Sequence, residues 1–204
     1  MPEYNYNILK YNNYVPYGKL ELVQAPATTL VSLAEAKIHL RIEHSNDDTY
    51  ITTLINVATD IVEEFTRRKL VTQTWNIYFD EFPPYIDLQL GIVREVSQVG
   101  YFNQDDVFTI LPSTEYDVDL IAKPGRIYQA SGKSFPQTYE KANAVKVTFD
   151  VGNALDVPSA FKQAILIIVG RYYENRQDVF VGTQVNELPT LVEHLLTPYR
   201  LLEL

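Results

Sequence analysis

"VPSAFKQAILIIVGRYYENRQ", residues 157–177, decides how this chain folds, because residues 164–170 within it are apolar on every side of a helical turn. Pro158 suits the first turn of a helix, where its missing N–H costs nothing. Phe161, Ala164, Ile165, Ile168 and Tyr172 then make one stripe, and Leu166, Ile167, Val169 and Tyr173 make a second. The run is bounded by Lys162, Gln163 and Arg171, far short of the roughly 20 apolar residues that a membrane span needs. Protein must therefore cover both stripes. One is expected to pack inside the subunit against other helices. Two compatible accounts remain for the other: an inserted sheet or the last helix folds over it, or a neighbouring copy buries part of it.

Working outward toward the N-terminus, "SLAE" at 32–35 has capping-box spacing and predicts a helix running to about Ile42. A second helix is expected from Ser45 or Asn46, with Asp47 and Asp48 in its first turn complementing the positive end of the helix dipole. Ile51, Leu54, Ile55, Ala58, Ile61, Val62 and Phe65 keep one face apolar over about five turns, ~30 Å. From Thr72 the period falls to two: Trp75, Ile77 and Phe79 alternate with Thr74, Asn76, Tyr78 and Asp80. Further strands are expected at 86–90, 96–102, 107–111, 116–120, 126–128 and 145–149, separated by turn residues in "NQDD", "LPS" and "KPG". Strands at this spacing without intervening helices argue an antiparallel sheet or small barrel.

The fold class is therefore α+β: a helical core of two N-terminal helices plus C-terminal helices, carrying an inserted antiparallel β-sheet or small barrel. The zones are 1–27 (a Tyr/Asn-rich extension), 28–69 (helical core), 70–153 (β insertion) and 154–204 (helical core and C-terminal segment). At the C-terminal end, Leu188, Leu191, Val192, Leu195 and Leu196 fall at helical spacing, Pro198 breaks the pattern, and "YRLLEL" follows. An apolar end of this kind marks a partner site or a seal over the subunit's own core. In the extension, Tyr4, Tyr6, Tyr11, Tyr14 and Tyr17 stand among Asn residues with few aliphatics. It reads either as a flexible tail or as a docking strap, since Tyr gives large contact area at low entropic cost.

Composition bounds the chemistry. The 204 residues are 46% hydrophobic and 21% charged, an ordinary globular balance, and the formal net charge of −9 gives no sequence-independent attraction to phosphate. Zero cysteines exclude disulfides and thiolate metal sites. The first residues lack the basic and apolar regions of a secretory signal. "SGKS" at 131–134 fails as a phosphate loop because position 127, where the first Gly should stand, is Ile. His39 and His44 are five apart across a helix break, the wrong spacing for a helical metal pair. Asp117 and Asp119 fall on the polar side of a strand, and Asp105 and Asp106 are turn residues. His194 lies in the apolar C-terminal helix. Nucleophile, base and oxyanion donor nowhere assemble, so neither an enzyme nor a cofactor protein is expected.

"VSLAEAKIHLRIEHSNDDTYITTLINVATDIVEEFTRRKLVTQTW", "NAVKVTFDVG", "DVPSAFKQAILIIVGRYYENRQ" and "LVEHLLTPYR" together resemble the larger head–tail connector (adaptor) proteins of tailed bacteriophages, also found in gene-transfer particles. The resemblance spans about residues 20–200 and rests on packing and assembly signatures; the Tyr/Asn extension lies outside it. It implies a helical core with a β domain, assembled as a ring of some twelve copies beneath the portal at one capsid vertex. The implied partners are the portal protein, copies of itself, and the next neck component (a head-closure or stopper protein) or tail. Double-stranded DNA would pass through the channel without specific binding, and no membrane is involved. The implied location is the virion neck, with host cytoplasm during assembly. Leu195, Leu196, Pro198, Tyr199, Arg200, Leu201 and Leu202 become candidates for portal docking. Phe161, Ile165, Ile168, Tyr172 and Tyr173 are candidates for the helical core and subunit interface, and Tyr4, Tyr6, Tyr11 and Tyr14 for N-terminal docking. Another neck or tail structural protein, or an enzyme with a site between subunits, is the alternative.

Overall fold

A computed structural model describes residues 17–176 and 189–201. The chain divides into two compact units, one of residues 25–73, 90–92 and 151–204, the other of residues 1–24, 74–89 and 93–150. The first is helical and the second is built of strands, as α+β patterning requires.

In the helical unit, α1 spans Leu33–Leu40 and α2 spans Asp48–Thr66. The capping box forms: the Ser32 hydroxyl accepts from the Glu35 N–H at 3.2 Å and the Glu35 carboxylate accepts from the Ser32 N–H at 2.7 Å. α1 stops short of Ile42 because Arg41 turns left-handed, φ 57°, and its N–H returns to the carbonyls of Ile38 and Lys37. α2 ends the same way at Arg67, φ 56°. Ile51, Leu54, Ile55, Ala58 and Val62 are buried as the periodicity requires, while Ile61 and Phe65 lie at the margin of the same core. α3 follows at Ser159–Glu174 and α4 at Thr190–Leu196, with a 3₁₀ turn over Thr197–Tyr199. α3 packs against α1, α2 and α4.

That packing covers the apolar helix. Its buried arc is Phe161, Ala164, Ile165, Ile168 and Val169, and Leu166, Ile167 and Tyr173 are half-buried against the same core. Two assignments change. Val169, read into the second stripe, belongs to the core; Tyr172, read into the first, is 37% exposed. In the last turn the inward contact passes to Tyr173, whose ring lies 6.1 Å from that of Tyr50, and the arc turns away from Tyr172.

The β unit holds two sheets. β1 (Lys19–Gln24), β2 (Gln73–Phe79), β4 (Val93–Phe102), β5 (Phe108–Ile110) and β8 (Val145–Val151) form a five-stranded sheet in the order β1-β2-β8-β4-β5. β3 (Ile86–Asp87), β6 (Tyr116–Asp119) and β7 (Arg126–Gln129) form a second in the order β3-β7-β6. β1 pairs antiparallel with β2, β4 with β5, and β7 with both β3 and β6. β8 supplies the cleanest alternation: Val145, Val147, Phe149 and Val151 are buried, while Lys146, Thr148 and Asp150 are partly exposed. Among the described residues the five-stranded sheet ends at β1 and β5 without closing, so of the two architectures expected these residues form the sheet and not the barrel.

Three local readings also change. Lys19–Gln24, grouped with the extension, is a strand; both of its faces are exposed, so it carries no burial signature. Asn76, expected on a wet face, is only 8% exposed because Glu21, Tyr78 and Thr148 hydrogen-bond it on all sides. Val118 and Leu120, whose alternation with Asp117 and Asp119 predicts a covered side, are 38% and 41% exposed; Val118 lies on β6, an edge strand of the small sheet, and Leu120 lies just past it. The "KPG" turn contains a cis Lys123–Pro124 bond. Gly152, just past β8, needs its φ of +78°, and a Cβ there would run into the Val71 carbonyl.

Candidate docking surfaces

The C-terminal segment is held to its own helical unit. Val192 and Leu196 are fully buried, placed inward by the four-residue spacing of α4. Pro198 sits in the first turn of the 3₁₀ segment and is exposed. The segment then folds back. The Tyr199 ring lies 5.3 Å from Phe161, the Arg200 guanidinium lies 5.4 Å from the Phe65 ring, and the Leu201 N–H donates to the Thr66 carbonyl at 3.1 Å. Leu196 and Tyr199 therefore seal the core, which withdraws them from the set available for docking. Leu195 and Leu201 are half-buried and Arg200 is exposed. Leu202, with Tyr4, Tyr6, Tyr11 and Tyr14, lies outside the described residues.

Of the α3 candidates, Phe161, Ile165 and Ile168 are core. Tyr172 and Tyr173 belong to a cluster at the end of the helix that sequence reading missed. The Asp47 carboxylate, at the N-terminus of α2, accepts from the Tyr173 hydroxyl at 2.5 Å and from Arg176 at 2.9 Å. Arg176 lies 4.8 Å from the ring centres of both Tyr50 and Tyr173. The Tyr50 hydroxyl reaches the Tyr172 carbonyl at 3.3 Å. The Tyr173 hydroxyl first, then Arg176, hold the Asp47 carboxyl below its usual range, and Asp47 in turn raises the Tyr173 phenol. These bonds explain why Asp47 makes no side-chain cap for α2: its oxygens are engaged across the bundle. "YENR" was the available signal, read as a family signature without its partner.

A second missed group is Glu63, 7% exposed on α2. Its carboxylate accepts from the buried Leu70 N–H at 2.9 Å and from Lys69 Nζ at 2.7 Å, fixing the turn where the helical unit hands over to β2. Helical periodicity gives no hint of it, because a Glu beside Val62 reads as solvated. These arrangements tie elements of the helical unit together. Among the described residues no three His, Asp or Glu gather as a metal set, and no helix is long and apolar enough to cross a membrane. "SGKS" caps the β7 end as a turn, with Lys133 paired to Glu115 at 3.0 Å.

Comparison with known proteins agrees with this architecture. Residues 30–118 match the family model described as phage gp6-like head–tail connector protein. A chain from the neck of an empty gene transfer agent (GTA) particle, computed with C6 symmetry, superposes with a TM-score of 0.73 at 21% identity, covering 91% of this chain and 97% of that one. A chain from the virion of the native GTA particle gives 0.73 at 20% identity over 91% and 96%. A chain from the neck of the native particle, computed with C12 symmetry, gives 0.72 at 21% over 91% and 97%. No curated protein matches the chain. At this identity the superpositions establish a shared fold, and the match to the phage gp6-like head–tail connector family lies over residues 30–118, from α1 and α2 into the strands of the β unit.

Proposed function

We propose that this protein is the ring-forming adaptor of a phage-like particle, seated beneath the portal, where it extends the DNA channel and presents a platform to the next neck component or tail. The structural connector role is that of the family whose model matches residues 30–118. The single observation that supports the finer reading is the extent of the match: the superposition covers 91% of this chain and 97% of a chain from a neck computed with C12 symmetry. The role needs shape and surfaces, with no turnover. Twelve copies, each at −9, would surround a passing duplex with negative charge, which favours movement over binding. Portal docking narrows to the exposed part of the C-terminal segment, Pro198 and Arg200 with the half-buried Leu195 and Leu201. The test is mass measurement of the purified protein alone and after mixing with portal rings. A complex carrying a fixed multiple of the subunit is expected; a subunit mass unchanged by portal would refute the reading.

A further inference from the structure

The five-stranded sheet leaves apolar residues exposed at both of its ends, and the two patches lie on opposite faces. At one end, Leu20 pairs with Ile77 and Leu22 with Trp75. Paired residues share a face, and Ile77 is fully buried, so Leu20 and Leu22 lie on the core side; they are nevertheless 38% and 45% exposed. At the other end, Phe108 pairs with Phe102 and Ile110 with Gly100, and they are 38% and 60% exposed. The Phe108 ring lies directly over Gly100, where a Cβ would collide with it, and Lys146 Nζ stands 5.5 Å from its centre. Lys146 shares a face of β8 with Thr148, and the Thr148 hydroxyl donates to Asn76 Oδ1 at 2.8 Å. Asn76 adjoins Ile77 on β2 and so points the other way. Phe108 and Ile110 therefore sit on the outer face, opposite Leu20 and Leu22.

We propose that these patches meet between copies of this chain: Leu20 and Leu22 on the underside of one β1 edge lap over Phe108 and Ile110 on the outer side of the next copy's β5 edge. A second copy is the occupant because of this geometry. A closed ring needs two different, complementary patches on each subunit, repeated by one rotation. A lap joint with its lower half at one edge and its upper half at the other supplies such a pair. A two-fold dimer would instead place each patch against itself. The direction of the strands agrees. Phe102 N–H bonds the Ala144 carbonyl and Gly152 N–H the Ile92 carbonyl, so β4 and β8 are antiparallel; Thr74–Asp150 and Asn76–Thr148 make β2 and β8 antiparallel too. β1 and β5 consequently run the same way, and neighbours in a ring of twelve, turned by about 30°, keep that direction across the joint.

The contact rests on the ring reading above, and the test separates them. The chain has no cysteine, so the double variant Leu22→Cys/Ile110→Cys carries the only thiols. Oxidised in the assembled state, it is expected to give a ladder of covalent oligomers, while neither single variant cross-links. Covalent dimers from either single variant would overturn the lap joint in favour of a two-fold contact. Wild-type rings with no ladder from the folded double variant would overturn the joint and leave the ring standing. Wild-type protein that stays monomeric alone and with portal would remove the ring reading and the joint with it. As a second arm, Ile110→Lys alters an exposed residue, so it should keep wild-type melting and weaken self-assembly at least tenfold; unchanged assembly would count against the joint.

Discussion

Single residues in this fold often tie distant elements together, and Glu63 shows how. It sits on a helix yet spends both carboxylate oxygens on the chain beyond it, one on the Leu70 N–H and one on Lys69. Leu70 is 2% exposed, so truncating Glu63 leaves a donor that water cannot reach. Glu63→Ala should destabilise the protein by about 2 kcal/mol, the cost of a buried unsatisfied donor, and Glu63→Gln should recover part of that loss through its remaining oxygen. Urea unfolding of the three proteins checks it, and equal midpoints would show that the turn holds itself. Asp47 makes the same point electrostatically. A residue read as a generic first-turn acid is instead the anchor for Tyr173 and Arg176, and nothing within its own segment announces that.

Elements differ in how much of themselves they disclose. α2 was legible because five turns of apolar residues at spacings of three and four leave only one way to bury them. α1 was legible at its start, where the capping box is a local device, and less so at its end, which a left-handed Arg41 decides. The box also sets a pH response. Bonds from the Ser32 backbone and hydroxyl, with Lys162, bring the Glu35 carboxyl down to about 2 from its ordinary 4.5. A lowered acid stabilises the fold fully above its ordinary value and loses that contribution as pH falls through its folded one. Thermal melts should therefore decline more steeply between pH 4.5 and 2 in wild type than in Glu35→Gln; parallel curves would refute the linkage. β1 escaped detection for the opposite reason. "KLELVQ" does alternate, but a six-residue edge strand exposed on both faces leaves no apolar run to mark it. The C-terminal segment was ambiguous because periodicity cannot tell a residue buried by its own subunit from one buried by a partner. Leu196 and Tyr199 prove to be the former. Tyr199→Ala should thus cost about 1 kcal/mol through its lost contact with Phe161. Arg200→Glu should cost at most about 1 kcal/mol, the worth of its exposed contact with the Phe65 ring, and weaken co-sedimentation with portal by more than that loss explains. A reversed pattern would exchange their roles.

For the molecule as a whole, the helix–sheet–helix plan was legible in the sequence, while the surfaces on which a connector depends stayed hidden. Leu20 and Leu22 can be recognised as the partners of Phe108 and Ile110 only once the pairing of β1 with β2 and of β4 with β5 has fixed which face each occupies. Charge is the exception, since it needs no coordinates. With 17 Lys and Arg against 26 Asp and Glu, the chain has no excess of cations to displace counterions from a duplex. On the proposed channel role, a lining that gripped phosphate would hold back the polymer it must let through, so no affinity for duplex is expected. Fluorescence anisotropy with a labelled duplex of ~30 base pairs, at ~50 mM salt where non-specific contacts are strongest, should show no saturable binding up to ~10 μM protein. The same result is expected for assembled rings, where avidity would multiply any weak contact. Binding that falls steeply with added salt would reveal a cationic track on the surface and overturn the view of this ring as a repelling passage.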